Sequence, residues 1–352
     1  MKVAVIGAGN SGCAHTVKLI ENGHIVNLIK TSNVMHNESF DKIMKTGEIA
    51  CVDSTNNNRE FSVRPNLITT SIKEGLDGVD VVMVLTQSLQ HRDLAPRIAP
   101  YLSTGQIVFI IPGNLASISF MKFVKEPGVI FVEAESTPYD ARLESPGNVH
   151  ILFKNARNAV SFLNNENKDK ISIINSLFGL HKYVRKNIIE SMLHNPNMVV
   201  HTIGAIMSAS RIEYAKGEFW MYREAFSPAI WNLIEQLDKE KNSIIEKCGG
   251  TPMSYLDACK WRNEQDLTQD SLTVFKNYAE SGGPKGPDSL NTRFIYEDVP
   301  MELCALENLG KLLDIKTPIT SSLINIASAL KKTNYRNIAY SIDEISMIMP
   351  YI

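Results

Sequence analysis

The sequence predicts an α/β protein, in which a Rossmann-type doubly wound parallel sheet is followed by a mostly α-helical second domain. Three observations predict it. A glycine-rich turn separates an apolar run from a helical pattern near residue 1, and apolar runs alternate with helical patterns through the first half. Long helical patterns then dominate from about residue 187. We therefore expect one domain over residues 1–186 and a second over residues 187–352.

The glycine-rich turn reads Gly-Ala-Gly-Asn-Ser-Gly and contains Gly7, Gly9 and Gly12. It follows the apolar residues 3–6, typical of a buried parallel strand, and precedes residues 13–20, whose apolar side chains have helical spacing. In such a turn the glycines allow a tight bend, close approach to a pyrophosphate and close helix–strand packing. The helix N-terminus offers amide groups to the phosphates. We expect this turn to bind a dinucleotide through Gly7, Gly9, Asn10, Ser11 and Gly12; the alternative is a tight turn that binds nothing.

The end of the second predicted strand, residues 24–29, indicates which dinucleotide is bound. NAD sites usually place an acidic residue here, on the ribose 2′-hydroxyl. This chain instead has Lys30, Thr31 and Ser32. A cation followed by hydroxyl donors suits a 2′-phosphate, so the sequence favours NADP(H). NAD remains the alternative, with Lys30 solvated and no acidic partner for the ribose.

Further strands are predicted at residues 79–86, 106–110 and 129–134, with a helix at 89–99. Residues 37–61 read as irregular, with short β-like pieces at 47–52 and 61–63, and another such piece follows at 68–70. Ligands of parallel sheets bind at the carboxyl ends of the strands. Candidates to line that crevice, although each also suits an ordinary turn, are Thr86, Gln87, Pro112, Gly113 and Glu135.

The second half predicts helices at residues 197–214, 227–248, 301–313 and 319–331, with a Gly/Pro-rich loop at 281–287. Composition narrows the class of protein. A formal net charge of −2 gives no reason to expect nucleic acid or an anionic membrane as partner. No apolar stretch is long enough to span a bilayer, and Met1 leads directly into the first strand, so we expect a cytoplasmic protein without a signal peptide. The five scattered cysteines predict neither disulfides nor a zinc site.

Three motifs narrow the function further. They are His194-Asn-Pro-Asn197-Met-Val-Val-His201, then Asn291-Thr-Arg293-Phe-Ile-Tyr-Glu-Asp298, and Glu135-Ser-Thr-Pro138-Tyr139-Asp-Ala-Arg142. Together with the glycine-rich turn, they resemble the opine dehydrogenases of the octopine/nopaline type over nearly the whole chain. One departure is the missing acidic residue after the second strand, which puts the NAD preference of many such enzymes in doubt.

The resemblance implies a reversible reductive condensation. An amino acid amine condenses with a 2-oxo acid, and hydride from a nicotinamide reduces the C=N bond. It also implies that His201 is the acid/base, that Asp298 orients it and that Arg293 holds a substrate carboxylate. These residue types suit the chemistry, because imidazole titrates near neutral pH and a guanidinium binds carboxylates bidentately. We expect the two small-molecule substrates to bind in a cleft between the domains, and we expect no metal. A homodimer is compatible with the sequence.

Several alternatives stay open. His194 competes with His201, because the two lie on much the same helix face. Arg293 and Asp298 could form a structural ion pair. Asn197 could contact the nicotinamide or cap a helix, and Arg142 could contact the cofactor or only cap the sheet. Rival functions are the reduction of a 2-oxo acid to its 2-hydroxy acid, and a non-catalytic NADP(H)-binding sensor.

Overall fold

The computed structural model describes residues 1–280 and 285–352, so residues 281–284 of the expected Gly/Pro-rich loop lie outside the described part of the chain. The chain divides into two compact units, Met1–Ile188 and Ile189–Ile352. The first contains two sheets and the helices that cover them, and the second is helical. The expected α/β fold class with a helical second part is confirmed.

The first unit contains twelve strands and six helices. The strands are β1 Lys2–Ile6, β2 Ile25–Ile29, β3 Ile49–Asp53, β4 Arg59–Val63, β5 Leu67–Thr69, β6 Val81–Val84, β7 Ile107–Ile110, β8 Ile130–Ala134, β9 Tyr139–Ser145, β10 Asn148–Lys154, β11 Ala159–Phe162 and β12 Tyr183–Val184. The helices are α1 Asn10–Glu21, α2 Asn37–Thr46, α3 Ile72–Leu76, α4 His91–Ile98, α5 Ser117–Met121 and α6 Ile171–Phe178.

Eight strands form the larger sheet, in the order β12-β11-β8-β7-β6-β1-β2-β5. The strands from β5 to β8 pair in parallel, whereas β11 is antiparallel to β8. All residues of β6, β7 and β8 are buried, which explains their continuous apolar runs: helices cover both faces of a parallel sheet. The expected parallel sheet is therefore correct except at its β11 edge.

The second sheet was not expected. Its order is β4-β3-β10-β9, and its strand β9 includes residues 139–142 of the third motif. The expectation of irregular structure is wrong at residues 37–46, which form α2, whereas the β-like pieces expected at 47–52 and 61–63 correspond to β3 and β4. The local signal is weak: α2 buries only two apolar side chains, Phe40 and Ile43, and no side chain caps its first turn.

Two histidines lie inside the core of the first unit. The His15 ring contacts the rings of Tyr139 and Phe178 edge to face, and the His181 ring contacts Phe109 and Phe178. Burial lowers the pKa of His15 to about 4 and that of His181 to about 3. Both rings are therefore neutral at pH 7 and act as core aromatics.

The helices from α7 onward are α7 Ile188–Leu193, α8 Asn197–Met207, α9 Ala209–Ala215, α10 Met221–Glu224, α11 Pro228–Lys247, α12 Tyr255–Asn263, α13 Ser271–Glu280, α14 Arg293–Tyr296, α15 Cys304–Leu313, α16 Pro318–Lys331 and α17 Ile342–Ser346. The single helix expected at 197–214 is broken at Ser208, whose backbone leaves helical geometry. Instead of one helix at 301–313, a short π-helical turn, Val299–Leu303, precedes α15. No helix of the described residues combines the length and the apolarity that crossing a membrane requires.

Candidate active site

The glycine-rich turn has the geometry that a dinucleotide site needs. Gly7 adopts φ +112°, and a Cβ there would lie 3.0 Å from the Leu85 carbonyl oxygen. A Cβ on Gly12 would lie 1.7 Å from the Gly7 carbonyl oxygen, so only glycine lets α1 start this close to β1. The Thr86 hydroxyl at this turn is buried and makes no hydrogen bond among the described residues. The turn, the N-terminus of a twelve-residue helix and this unsatisfied hydroxyl all fit a bound dinucleotide.

The side chains inside the turn hold the turn itself. Asn10 Oδ1 accepts a hydrogen bond of 2.9 Å from the Leu143 amide, and Ser11 Oγ lies 3.3 Å from His15 Nδ1. Gly9 precedes α1, and a Cβ there would lie 3.0 Å from Cδ2 of His36. The backbone amides are therefore the groups that the turn offers to phosphates. The motif reading missed His36, because its proximity to Gly9 depends on how the segment after β2 folds back.

Lys30, at the end of β2, is buried, and its Nζ donates a hydrogen bond of 2.5 Å to the Met35 carbonyl. Burial lowers the pKa of Lys30, and the Asp41 carboxylate opposes that shift. The Thr31 carbonyl oxygen accepts a hydrogen bond of 3.1 Å from Nη1 of the exposed Arg97. Ser32 Oγ accepts a hydrogen bond from the Val34 amide.

A cavity of about 690 Å³ opens beside Lys30. The Lys30 ammonium and the Lys45 side chain both line it, together with Asp41 and the Phe40 ring. The sequence analysis did not predict Arg97, because its helix is remote in sequence from β2 and only the fold brings its guanidinium to Thr31. The end of β2 is thus surrounded by cations, with one carboxylate among them.

The other candidates at the strand ends have mostly structural contacts. A Cβ on Gly113 would lie 2.2 Å from Oε2 of Glu133, whose carboxylate accepts hydrogen bonds from the Leu115 and Ser117 amides. Burial raises the pKa of Glu133 against these hydrogen bonds. Glu135 is buried and pairs with Arg185 at 2.8 Å. Pro112 follows β7, and the Gln87 carbonyl closes a turn with the Gln90 amide.

In the second unit, the fold brings His201 and Asp298 together. Nδ1 of His201, on α8, lies 2.8 Å from Oδ2 of Asp298, although the two residues are 97 positions apart. Both side chains are almost fully buried, with 8% and 2% of their surface exposed. Phe294, on α14, stacks on the imidazole with 3.7 Å between ring centres and 15° between ring planes. Phe294 lies inside the second motif, but its contact with the histidine could not be predicted from that motif.

Arg293 begins α14 directly before the stacked phenylalanine and is exposed. Desolvation lowers the pKa of Arg293, but the neighbouring carboxylates of Asp298, Glu297 and Glu302 outweigh it and raise the pKa. No ion pair within 4.0 Å joins Arg293 to Asp298 among the described residues, although the Asp298 charge is the first of those that raise the Arg293 pKa. The guanidinium stands close to the histidine–aspartate pair without being bound by it.

The remaining motif residues organise the start of α8. His194 is buried, and its Nε2 lies 3.1 Å from the Thr251 carbonyl. Asn197 is the first residue of α8, and its amide donates to Asn195 Oδ1, whereas Asn195 Nδ2 donates to Oε1 of the buried Glu302 at 2.9 Å. Arg142, on β9 of the first unit, donates to the neighbouring Ala141 carbonyl.

Comparison with known proteins gives two family matches. Residues 184–331 match the NAD/NADP octopine/nopaline dehydrogenase, alpha-helical domain, and residues 3–160 match the ketopantoate reductase PanE/ApbA family. The chain is 26% identical over 355 residues to an opine dehydrogenase of Arthrobacter sp. (strain 1C), which covers 98% of this chain and 94% of that relative.

Solved structures share the fold. A structure of octopine dehydrogenase in complex with NADH and agmatine matches with a TM-score of 0.77 at 17% identity, covering 98% of this chain and 97% of that one. An NADP⁺-bound yersinopine dehydrogenase matches with a TM-score of 0.74 at 12% identity, covering 99% and 97%. The nucleotide turn and the helical unit define an NAD(P)-dependent dehydrogenase. The helical part matches the octopine/nopaline dehydrogenase model and the whole chain resembles an opine dehydrogenase, which supports the family, the oxidoreductase class and the reaction type that the sequence predicted.

Proposed function

We propose that this opine dehydrogenase reduces the imine formed from an amino acid amine and a 2-oxo acid, and that His201 is its acid/base. One observation carries the assignment: the 2.8 Å contact between His201 Nδ1 and Asp298 Oδ2. A carboxylate that accepts a hydrogen bond from Nδ1 fixes the neutral ring in the tautomer with its proton on Nδ1. It also stabilises the imidazolium. His201 Nε2 is then the atom that gives and takes the proton.

Arg293 is proposed to bind a substrate carboxylate. Its guanidinium is exposed and has no ion-pair partner at Asp298, so its fork of donors can receive an anion. His194 is the weaker candidate for acid/base, because its Nε2 already faces the Thr251 carbonyl. The amine and the oxo acid are small molecules; their side chains are not specified by these residues.

We propose that the N-terminal domain, which the sequence predicts over residues 1–186, binds NADP(H) in preference to NAD(H). The bound nicotinamide supplies the hydride. The amides after Gly9 would receive the pyrophosphate, and the Lys30 ammonium and the Arg97 guanidinium would receive the 2′-phosphate at the end of β2. Gly7 and Gly12 permit the turn, and the Thr86 hydroxyl is available to the cofactor.

The setting of the enzyme is part of the same proposal. We infer a cytoplasmic enzyme whose partners are its small-molecule substrates, with a homodimer as the assembly to test by sedimentation or light scattering. All five cysteines are buried and form no disulfide among the described residues, which fits a reducing compartment.

An assay of NADPH oxidation tests the function. A panel of 2-oxo acids is supplied with and without amino acids, and each pair is run with NADPH and with NADH. We expect oxidation that requires both the oxo acid and an amine and that is faster at low NADPH than at low NADH. A rate independent of amine would favour reduction of the oxo acid to a hydroxy acid, and cofactor binding without any turnover would favour a sensor.

A further inference from the structure

The imidazole of His201 has a second fixed neighbour besides Asp298. The Phe294 ring lies flat against it, with ring centres 3.7 Å apart and planes within 15°. This is van der Waals contact over a whole ring face. Phe294 lies in α14, and its own amide donates to the Thr292 side chain that caps this helix. The ring is therefore held by the start of a helix rather than by a free loop.

A hydrogen bond at Nδ1 alone does not fix an imidazole. It restrains one atom at the edge of the ring, and the ring can still tilt about its bond to Cβ, which moves Nε2 sideways. A flat neighbour in contact with one face removes this tilt, because a tilted ring would overlap the phenyl carbons. The edge contact of Asp298 and the face contact of Phe294 together leave one orientation.

The same contact suits both charge states of the ring. The phenyl face excludes water from one side of the imidazole, and an aromatic face attracts a cation when the ring is protonated. The stack therefore persists while the proton is gained and lost. Arg293, Phe294 and Asp298 lie in one short segment, so that segment supplies a cation, a ring face and a carboxylate to the same site.

We propose that Phe294 is a positioning residue: it holds the plane of the His201 ring so that Nε2 points at the reacting substrate atoms. The proposal rests on the function proposed above for His201. Proton transfer depends steeply on placement, and a misplacement of about 1 Å can cost on the order of 10²-fold in rate. Loss of the stack alone, with Asp298 retained, should cost less than that.

The test compares Phe294→Leu with Phe294→Tyr, alone and combined with His201→Ala. Leucine retains apolar bulk but has no flat face, and tyrosine restores the face. With the best substrate pair of the panel, we expect Phe294→Leu to lower kcat about tenfold and Phe294→Tyr to stay within about twofold of the parent. Because the residue acts through His201, Phe294→Leu should change kcat less than about twofold in the His201→Ala background.

The outcomes distinguish a failure of the positioning role of Phe294 from a failure of the acid/base assignment of His201. An equal loss from Phe294→Leu in both backgrounds would overturn the positioning role, because the residue would then act elsewhere. Parent-like turnover in His201→Ala alone would overturn the acid/base assignment itself. The dissociation constant for NADPH and the melting temperature of each variant show whether the fold is retained.

A second measurement needs no substrate. Carbethoxylation of the His201 ring by diethyl pyrocarbonate can be followed by mass spectrometry of the peptide that contains it. We expect the modification to be several-fold faster in Phe294→Leu and close to the parent rate in Phe294→Tyr. Equal rates in the parent and Phe294→Leu would show that the ring face is not held by Phe294, and would overturn the proposal without any turnover assay.

Discussion

The glycine-rich turn of the first unit and the His201–Asp298 pair of the second are built by different means. The turn is local: Gly7 and Gly12 are close in sequence, and backbone contact dictates that both are glycine. The pair joins residues 97 positions apart, which meet only because α14 packs on α8. A site made by backbone sterics can be recognised from a short motif, whereas a site made by side chains depends on the packing of helices.

The largest expected effect is on catalysis, with nucleotide binding at the glycine-rich turn retained. His201→Ala should lower kcat on the order of 10²-fold or more, because general acid–base catalysis is lost. The dissociation constant for NADPH, measured by quenching of protein fluorescence or by NADPH emission, should stay within about twofold. His194→Gln is the matched histidine control and should keep most of the activity. If His194→Gln loses turnover and His201→Ala does not, the two histidines exchange roles.

The next effect falls on the turn. Gly12→Ala places a Cβ against the Gly7 carbonyl, so the backbone must shift, at a cost of about 1–3 kcal/mol in the free energy of unfolding. Gly9→Ala is the control, because its Cβ meets only the movable His36 ring and its φ is −93°. We expect Gly9→Ala to weaken NADPH binding and to lower the free energy of unfolding less than Gly12→Ala does. Urea unfolding that ranks Gly9→Ala as the less stable variant would contradict this difference.

A smaller effect separates the two nucleotides. Lys30→Met keeps the apolar stem and removes the ammonium, so the dissociation constant for NADPH should rise about tenfold, as expected for one charge-assisted hydrogen bond, while that for NADH changes little. Arg97→Met should act in the same direction, and the exposed Lys73 offers a control, Lys73→Met, without effect. Equal weakening of both nucleotides by Lys30→Met would mean that Lys30 only holds the Met35 segment.

A last prediction distinguishes the two units by how their stability depends on acid pH. Burial lowers the pKa of His15, His91 and His181 to about 4, 4 and 3, below the unfolded value of about 6.5. The three neutral rings contribute fully to the free energy of unfolding above pH 6.5, and this contribution is lost as the pH falls towards 4. At pH 5.5 the loss is about 1 kcal/mol for each histidine. All three lie in the first unit.

The second unit has a different acid limit. Hydrogen bonds from Arg336, outweighing burial, lower the pKa of the Glu307 carboxyl to about 2, so its contribution is complete above about pH 4.5 and is lost only between there and pH 2. The tryptophans, Trp220, Trp231 and Trp261, all report on this unit. Between pH 7 and 5.5, hydrogen exchange in the β1 and β6 peptides should show more loss of stability than tryptophan fluorescence does in urea. The reverse order would refute the assignment.

Local sequence was enough for the elements whose signal lies within a few residues. The strand at 3–6, the turn after it and the helix that follows were predicted because their spacing and glycines are contiguous. The helix expected at 227–248 was also predicted correctly, because α11 buries an apolar stripe that includes Ile234, Leu237, Ile244 and Ile245. By contrast, α2 was missed. The β-like pieces at 47–52 and 61–63 were predicted without the second sheet that they form, because β3 pairs with β10 far along the chain.

The candidate site divides in the same way. The residue types His201, Arg293 and Asp298 came from motif resemblance, but neither the 2.8 Å contact nor the Phe294 stack could be read from spacing. His36 and Arg97 were missed because the fold, not the motif, brings them to Gly9 and Thr31.

By itself the sequence determined the nucleotide turn and the order of the central strands along the chain, because steric limits on glycine and apolar periodicity act over short distances. Tertiary structure alone decided which ring faces His201, which carboxylate binds it, and that Lys30 is buried against Met35. Side-chain contacts between distant segments depend on the packing of whole helices, and no local pattern records that packing.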